Sequence, residues 1–230
     1  RVSPVLAIGF DRNDNPGWWM LGNGQVDAWS PKISWFDWHH SQSLKDAFPG
    51  FADKWLSKDW HQAIKTAIYW YMRSNTLAAG PDGSLILTCA ALEVLAWHYL
   101  VNMKRMISTE GFGKLPDSDW LRLLVSQARI PLPLPSTLSE LEAVSRAMNW
   151  NDGPDAVVKV RHNLVHFRGE KKGNPKPTDG KVVFEAWNLG QQYIEFVLLY
   201  LFGYNGQIAN RTGVPSWIGT VEDAPWTVEG

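Results

Sequence analysis

The sequence of 230 residues contains a single cysteine, Cys89. One thiol cannot form an intrachain disulfide, and such sparing use of cysteine fits a reducing compartment, so the cytoplasm is the expected location. Neither acidic nor basic side chains predominate: 22 Lys and Arg stand against 23 Asp and Glu, a net charge of −1. No global field draws such a chain to nucleic acid or anionic membrane, and any polyanion site must be local. The longest apolar stretch, Leu85 to Val101, is interrupted by Glu93 and His98 and reads as too short and too polar to span a bilayer. No membrane association is therefore expected. No signal-peptide pattern, internal repeat or low-complexity tract is present, and the chain opens on Arg1 rather than Met. We expect a segment of a longer protein, with a further domain elsewhere in it.

What is present suffices for a folded domain. Hydrophobic residues make up 45% and charged residues 20%, ordinary for a globular chain that folds without metal or disulfide. The outlying count is tryptophan, at 14. The first fifty residues differ from the rest, and no helical period appears before Ser43. Arg1 to Phe10 suggests a short strand, and Asp11 to Pro31 is rich in Asn, Gly, Pro and Trp, as loops with brief strands are.

From Phe51 the period becomes helical. Trp55, Trp60, Ile64, Ala67, Ile68 and Tyr71 mark one face of a helix expected over Ala52 to Asn75. Gly80-Pro81-Asp82-Gly83 is a breaker, after which Ser84 caps a central, nearly all-apolar helix from Leu85 to about Met106. A third helix opens at Asp117 or Ser118 and runs to about Ala128, and the Pro131–Pro135 run cannot continue it. Thr137 and Glu140 have capping-box spacing for a fourth helix that ends near Asn149. Asn151 or Asp152 caps a fifth, with Pro154 in its first turn and Gly169 placed to stop it. A sixth runs from Val182 to about Phe202, and the tail has the turn spacing of a hairpin. The expected fold is mainly α, a bundle of about six helices. The expected organisation is an irregular or β-like extension over 1–50, the bundle over 51–205 and a tail over 206–230.

Chemistry concentrates on the fifth helix, in Arg161-His162-Asn163-Leu164-Val165-His166. On a helical wheel Val157, Val160, Leu164 and Phe167 form the core stripe. His162 and His166, four apart, lie nearly opposite it, and Arg161 lies on the flank. Folding accounts for Leu164 but not for His166. Histidine can lend or take a proton near neutral pH, and the planar fork of arginine can hold two phosphate oxygens. This set suits phosphodiester cleavage. No carboxylate belongs to it, so neither a catalytic metal nor a cofactor is required.

The Arg-x4-His spacing with a polar residue directly after the arginine resembles the signature of the HEPN superfamily of helical-bundle ribonucleases. The run Ala90-Ala91-Leu92-Glu93-Val94-Leu95, and Leu201-Phe202-Gly203-Tyr204-Asn205-Gly206 with Pro225-Trp226, resemble its Apea-like branch. The resemblance covers about residues 51 to 226. It implies an endoribonuclease that cuts RNA without metal, by attack of the 2′-hydroxyl on the adjacent phosphate, in bacterial antiphage defence or a toxin system. His166 would be general base or acid, Arg161 would hold the phosphate, His162 would assist and Asn163 would support. It also implies a homodimer with both motifs facing one cleft. The alternative from another class is a non-catalytic HEPN-like module that binds RNA or a protein.

Several residues stand beside this reading. Arg168, Lys171, Lys172 and Lys176, followed by Lys181, form a basic loop suited to an RNA backbone, or else an ordinary solvated loop. Glu93, in an apolar helix, reads as a buried carboxylate partnered by Arg161 or by a Tyr or Trp donor. Cys89 reads as a small core residue and His98 as a hydrogen-bonded core histidine. His39 and His40 read as loop residues. His162 and His166 have half the ligands of a zinc site, but Asn163 stands where a catalytic glutamate would. Trp55, Trp60, Trp70 and Trp97 are expected in the core, whereas Trp18, Trp19, Trp29, Trp35 and Trp38 have no evident task.

Overall fold

A computed structural model describes residues 6–21, 34–76, 80–166, 176–213 and 219–227. The chain divides into two compact units, Arg1–Pro31 and Lys32–Gly230. In the first, strands β1 (Leu6–Phe10) and β2 (Pro16–Leu21) pair antiparallel, Leu6 opposite Leu21, with an irregularity at Gly9/Phe10. The Asp11 side chain accepts the Asn13 and Asn15 N–H groups and so closes the turn. Those N–H groups hold its carboxyl below the usual range. Trp18 lies over Gly9, where a Cβ would come within 2.2 Å of the indole.

The second unit is mainly helical, as its apolar periodicity dictates. Its helices are α1 (Gln42–Leu56), α2 (His61–Asn75), α3 (Gly80–Trp97), α4 (Thr109–Lys114), α5 (Asp117–Gln127), α6 (Ser139–Ala147), α7 (Gly153–Val165) and α8 (Gly180–Leu201). Helix α8 is the central rod: 16 of its 22 residues are buried, the pattern of a helix surrounded by others. Helix α3 lies against α2, α5, α7 and α8. Gly190 permits the α3–α8 approach, since a Cβ there would meet Thr88 at 2.7 Å. A buried polar cluster also joins α2, α3 and α8: the Trp187 indole and the Gln191 amide donate to Ser74 Oγ, which donates to the Ser84 carbonyl.

Several helix boundaries differ from the sequence expectation. The helix expected over Ala52–Asn75 is two helices, separated where Ser57 turns to extended backbone. The apolar phase survives this break, which is why periodicity alone does not reveal it. Helix α1 already begins at Gln42 and passes through Pro49; its exposed Leu44 and Phe48 blur the period upstream. Gly80–Gly83 is the first turn of α3 rather than a breaker, and Ser84 is buried inside the helix, not at its cap. Thr137 makes no capping box, because its hydroxyl donates to the Thr212 carbonyl instead. The short α4, capped by Ser108, was not legible in the periodicity.

Beyond α3 the chain widens into a π-helical turn, His98–Met103, in which Lys104 N–H bonds the Tyr99 carbonyl at 2.9 Å. Helix and turn together span 24 residues, long and apolar enough to cross a membrane. This corrects the expectation of a stretch too short to do so. Two-thirds of that apolar window is buried inside the bundle, as in a core helix.

The tail does form a small hairpin, β3 (Gln207–Ile208) with β4 (Glu222–Asp223). Trp226 anchors it by donating to the Tyr204 carbonyl at 2.7 Å. Between these strands Arg211 reaches into the bundle and pairs with Glu195 at 2.5 Å, both side chains 1% exposed.

Candidate active site

Helix α7 is fixed at its N-terminus. The Asp152 carboxylate accepts the Asp155 N–H, as a cap does, and also a two-pronged contact from Arg122 at 2.6 and 3.1 Å. Asp155, almost wholly buried, accepts the Asn151 N–H and pairs with Lys159. Along the helix Ala156, Val157 and Val160 are fully buried and Leu164 is half-buried. Phe167, expected in the same stripe, lies outside the described residues.

The far end carries the motif. Helix α7 stops at Val165, and His166 is its C-cap, its N–H bonded to the His162 carbonyl at 2.9 Å. The stop expected from Gly169 lies outside the described residues. The His162 and His166 rings stand on one exposed face with centroids 4.6 Å apart. Residues 161–166 thus deliver the i, i+4 pairing that their spacing requires.

Arg161 is half-buried on the flank, with Nη1 3.5 Å from Asp117 Oδ2. Its Nε is buried without a hydrogen-bond partner among the described residues. The Asp117 side chain is half exposed; so loose and wet an ion pair is worth little and yields readily to a stronger anion. Asp117 is a member of this cluster that sequence reasoning missed, because at the start of α5 it reads as a helix-opening residue.

Two supporting residues differ from expectation. Glu93 is exposed rather than buried, since with Trp97 one turn on it forms the solvent edge of α3. Among the described residues it makes no ion pair with Arg161; Asp117 takes that place. The Asn163 amide donates to the Lys159 carbonyl at 2.7 Å and so serves its own helix. Beneath the cluster Cys89 is buried, and burial pushes its thiol up to about 12, with Arg161 pulling down and Asp117 and Glu93 pushing up. A thiol so placed is inert core.

Of the basic loop, Arg168, Lys171 and Lys172 lie outside the described residues. Lys176 is exposed, and Lys181 sits 3.7 Å from Glu140. Of the remaining histidines, His40 bonds the Gly219 carbonyl at 3.1 Å. His98 is buried against Trp60 and, among the described residues, has only a 3.4 Å contact to Asn102. No group of three or more metal-ligating side chains occurs among the described residues. The tryptophans divide differently from expectation. Trp60 is buried and Trp55 and Trp70 pack on the core, but Trp97 is exposed; Trp35 packs against Tyr204. Trp18, Trp19 and Trp38 are exposed.

A helical bundle that presents an Arg–His–His cluster at the end of a clamped helix is the class these features define. The chain belongs to the YopA C-terminal domain family, which matches residues 57–223. It is 29% identical over 202 residues to the SPbeta prophage-derived uncharacterized protein YopA of Bacillus subtilis (strain 168), a match covering 87% of this chain and 44% of that protein. The chain thus spans less than half the length of this relative. No solved structure matches the chain.

Proposed function

We propose that this chain is a metal-independent endoribonuclease of the HEPN type. The observation that carries this reading is the pair of exposed imidazoles, 4.6 Å apart, beside an arginine held only by a loose ion pair. A neutral histidine takes the proton of the 2′-hydroxyl as its oxygen attacks the adjacent phosphorus. The bond to the 5′-oxygen breaks, and a protonated histidine returns a proton to that leaving group. The products are a 2′,3′-cyclic phosphate and a free 5′-hydroxyl. Arg161 exchanges Asp117 for the phosphate and stabilises the charge that grows on it.

Attack and departure occur on opposite sides of phosphorus, so one helix face supplies one side only. A homodimer that brings two such faces together supplies both. The prophage origin stated for the Bacillus relative fits a role in phage–host conflict in the bacterial cytoplasm, as a toxin or defence nuclease. Lys176 and its neighbours Arg168, Lys171 and Lys172 would guide the RNA backbone.

The test uses purified protein and a labelled single-stranded RNA in EDTA. Cleavage with cyclic-phosphate ends is expected, and His166→Ala or Arg161→Ala should lower the rate by roughly 100-fold or more. Expression should arrest bacterial growth, and Arg161→Ala should relieve the arrest. Undiminished cleavage by His166→Ala would refute the site. RNA binding without any cleavage would favour the non-catalytic module.

A further inference from the structure

We infer that the cavity between α1, α2 and α8 is a binding site for a small, largely apolar molecule that carries a hydrogen-bond donor at one end. The cavity measures about 380 Å³ and is walled by Phe48, Phe51, Ile68, Met72, Leu198 and Phe202. The space opens to solvent past Leu44 and Phe48, and its volume falls in the range of small-molecule sites, roughly 300–1,000 Å³. It lies apart from the motif on α7, and the proposed ribonuclease chemistry does not use it.

Backbone geometry fixes how closely α1 sits against α8. At Gly50 the helix approaches the chain just beyond α8 so closely that a Cβ would fall 1.7 Å from the Phe202 carbonyl oxygen. The middle of α1 is thereby held close to the end of α8. Phe48, two residues before Gly50, and Leu44, six residues before it, line the cavity and stay 61% and 55% exposed.

The wall also specifies the head of the ligand. Among its lining residues Tyr71 and Glu195 carry the ionisable groups. Glu195 Oε1 accepts two donors, the Tyr71 hydroxyl at 2.7 Å and Arg211 Nη2 at 2.5 Å. Among the described residues Oε2 has only a 3.4 Å contact from Arg211 Nε. A carboxylate has about four lone-pair sites for donors, so this buried one keeps acceptor capacity and has no donor to offer. An alcohol or primary amine on an apolar body fits it; a fatty carboxylate would set two negative groups together.

The experiment compares 1-octanol, octylamine and octanoate by calorimetry and thermal melting on the full chain. The alcohol and the amine should bind one per chain and raise the melting temperature, with octanoate at least tenfold weaker. Ala47→Phe should fill the cavity and cut affinity at least tenfold. Leu44→Trp, at the exposed mouth and harmless to folding, should do the same. Absence of a shift with the alcohol and the amine, equal binding of octanoate, or unchanged affinity in Leu44→Trp would each overturn the assignment. So would a dimer that Leu44→Glu converts to monomer, since a second copy would then be the occupant.

Discussion

His98 shows how a single side chain sets a pH limit. Its ring is buried against Trp60, and Nε2 has no partner among the described residues. Burial lowers its pKa, opposed weakly by Asp59. The folded protein therefore binds this proton less readily than the unfolded chain, where histidine titrates near ~6.5. The neutral ring contributes its full stability above that value, and the contribution is lost as pH falls below it toward the depressed folded value. Melting temperature should drop between pH 7 and 5, and His98→Gln should flatten the drop. Parallel slopes for parent and variant would show that other groups set the acid limit.

At the scale of the element, α7 is aimed by its first turn. The Asp152 carboxylate serves both as cap and as the receiver for Arg122, and so ties α7 to α5. Asp152→Ala removes both interactions and should cost about 2 kcal/mol, a fall of roughly 4–8 °C in melting temperature for a chain of this size. Because Arg161 meets Asp117 across the same α5–α7 contact, the variant should also slow RNA cleavage at temperatures where it remains folded. Arg122→Ala should give a smaller loss of stability, since it leaves the cap in place.

For the whole molecule the decisive quantity is the assembly. Val165 stands 45% exposed between the two histidines in sequence, at the end of α7. An apolar residue there suits the seam of the proposed two-fold dimer. Val165→Glu should yield a monomer by light scattering and abolish cleavage while leaving the melting temperature unchanged. A monomeric parent enzyme that cleaves RNA would refute the composite site. Under the proposed function the net charge of −1 requires any RNA affinity to come from locally gathered residues rather than from a broad basic face.

Local chemistry was legible in the sequence. The Asp152 cap, the Val157 and Val160 stripe, the i, i+4 histidine pair, the central apolar α3 and the tail hairpin all depend on residues close along the chain, where spacing fixes geometry. Partnerships between elements were not. That Asp117 rather than Glu93 faces Arg161, that Thr137 serves the tail instead of a cap, and that Ser84 lies inside a helix depend on which helix packs on which. Only the tertiary structure carries Arg211 to Glu195, and only the close contact of Gly50 with the Phe202 carbonyl pins α1 beside the open cavity. Short-range sterics and hydrogen bonding determine the first group; the second is decided when the bundle closes and each buried polar group must find a partner.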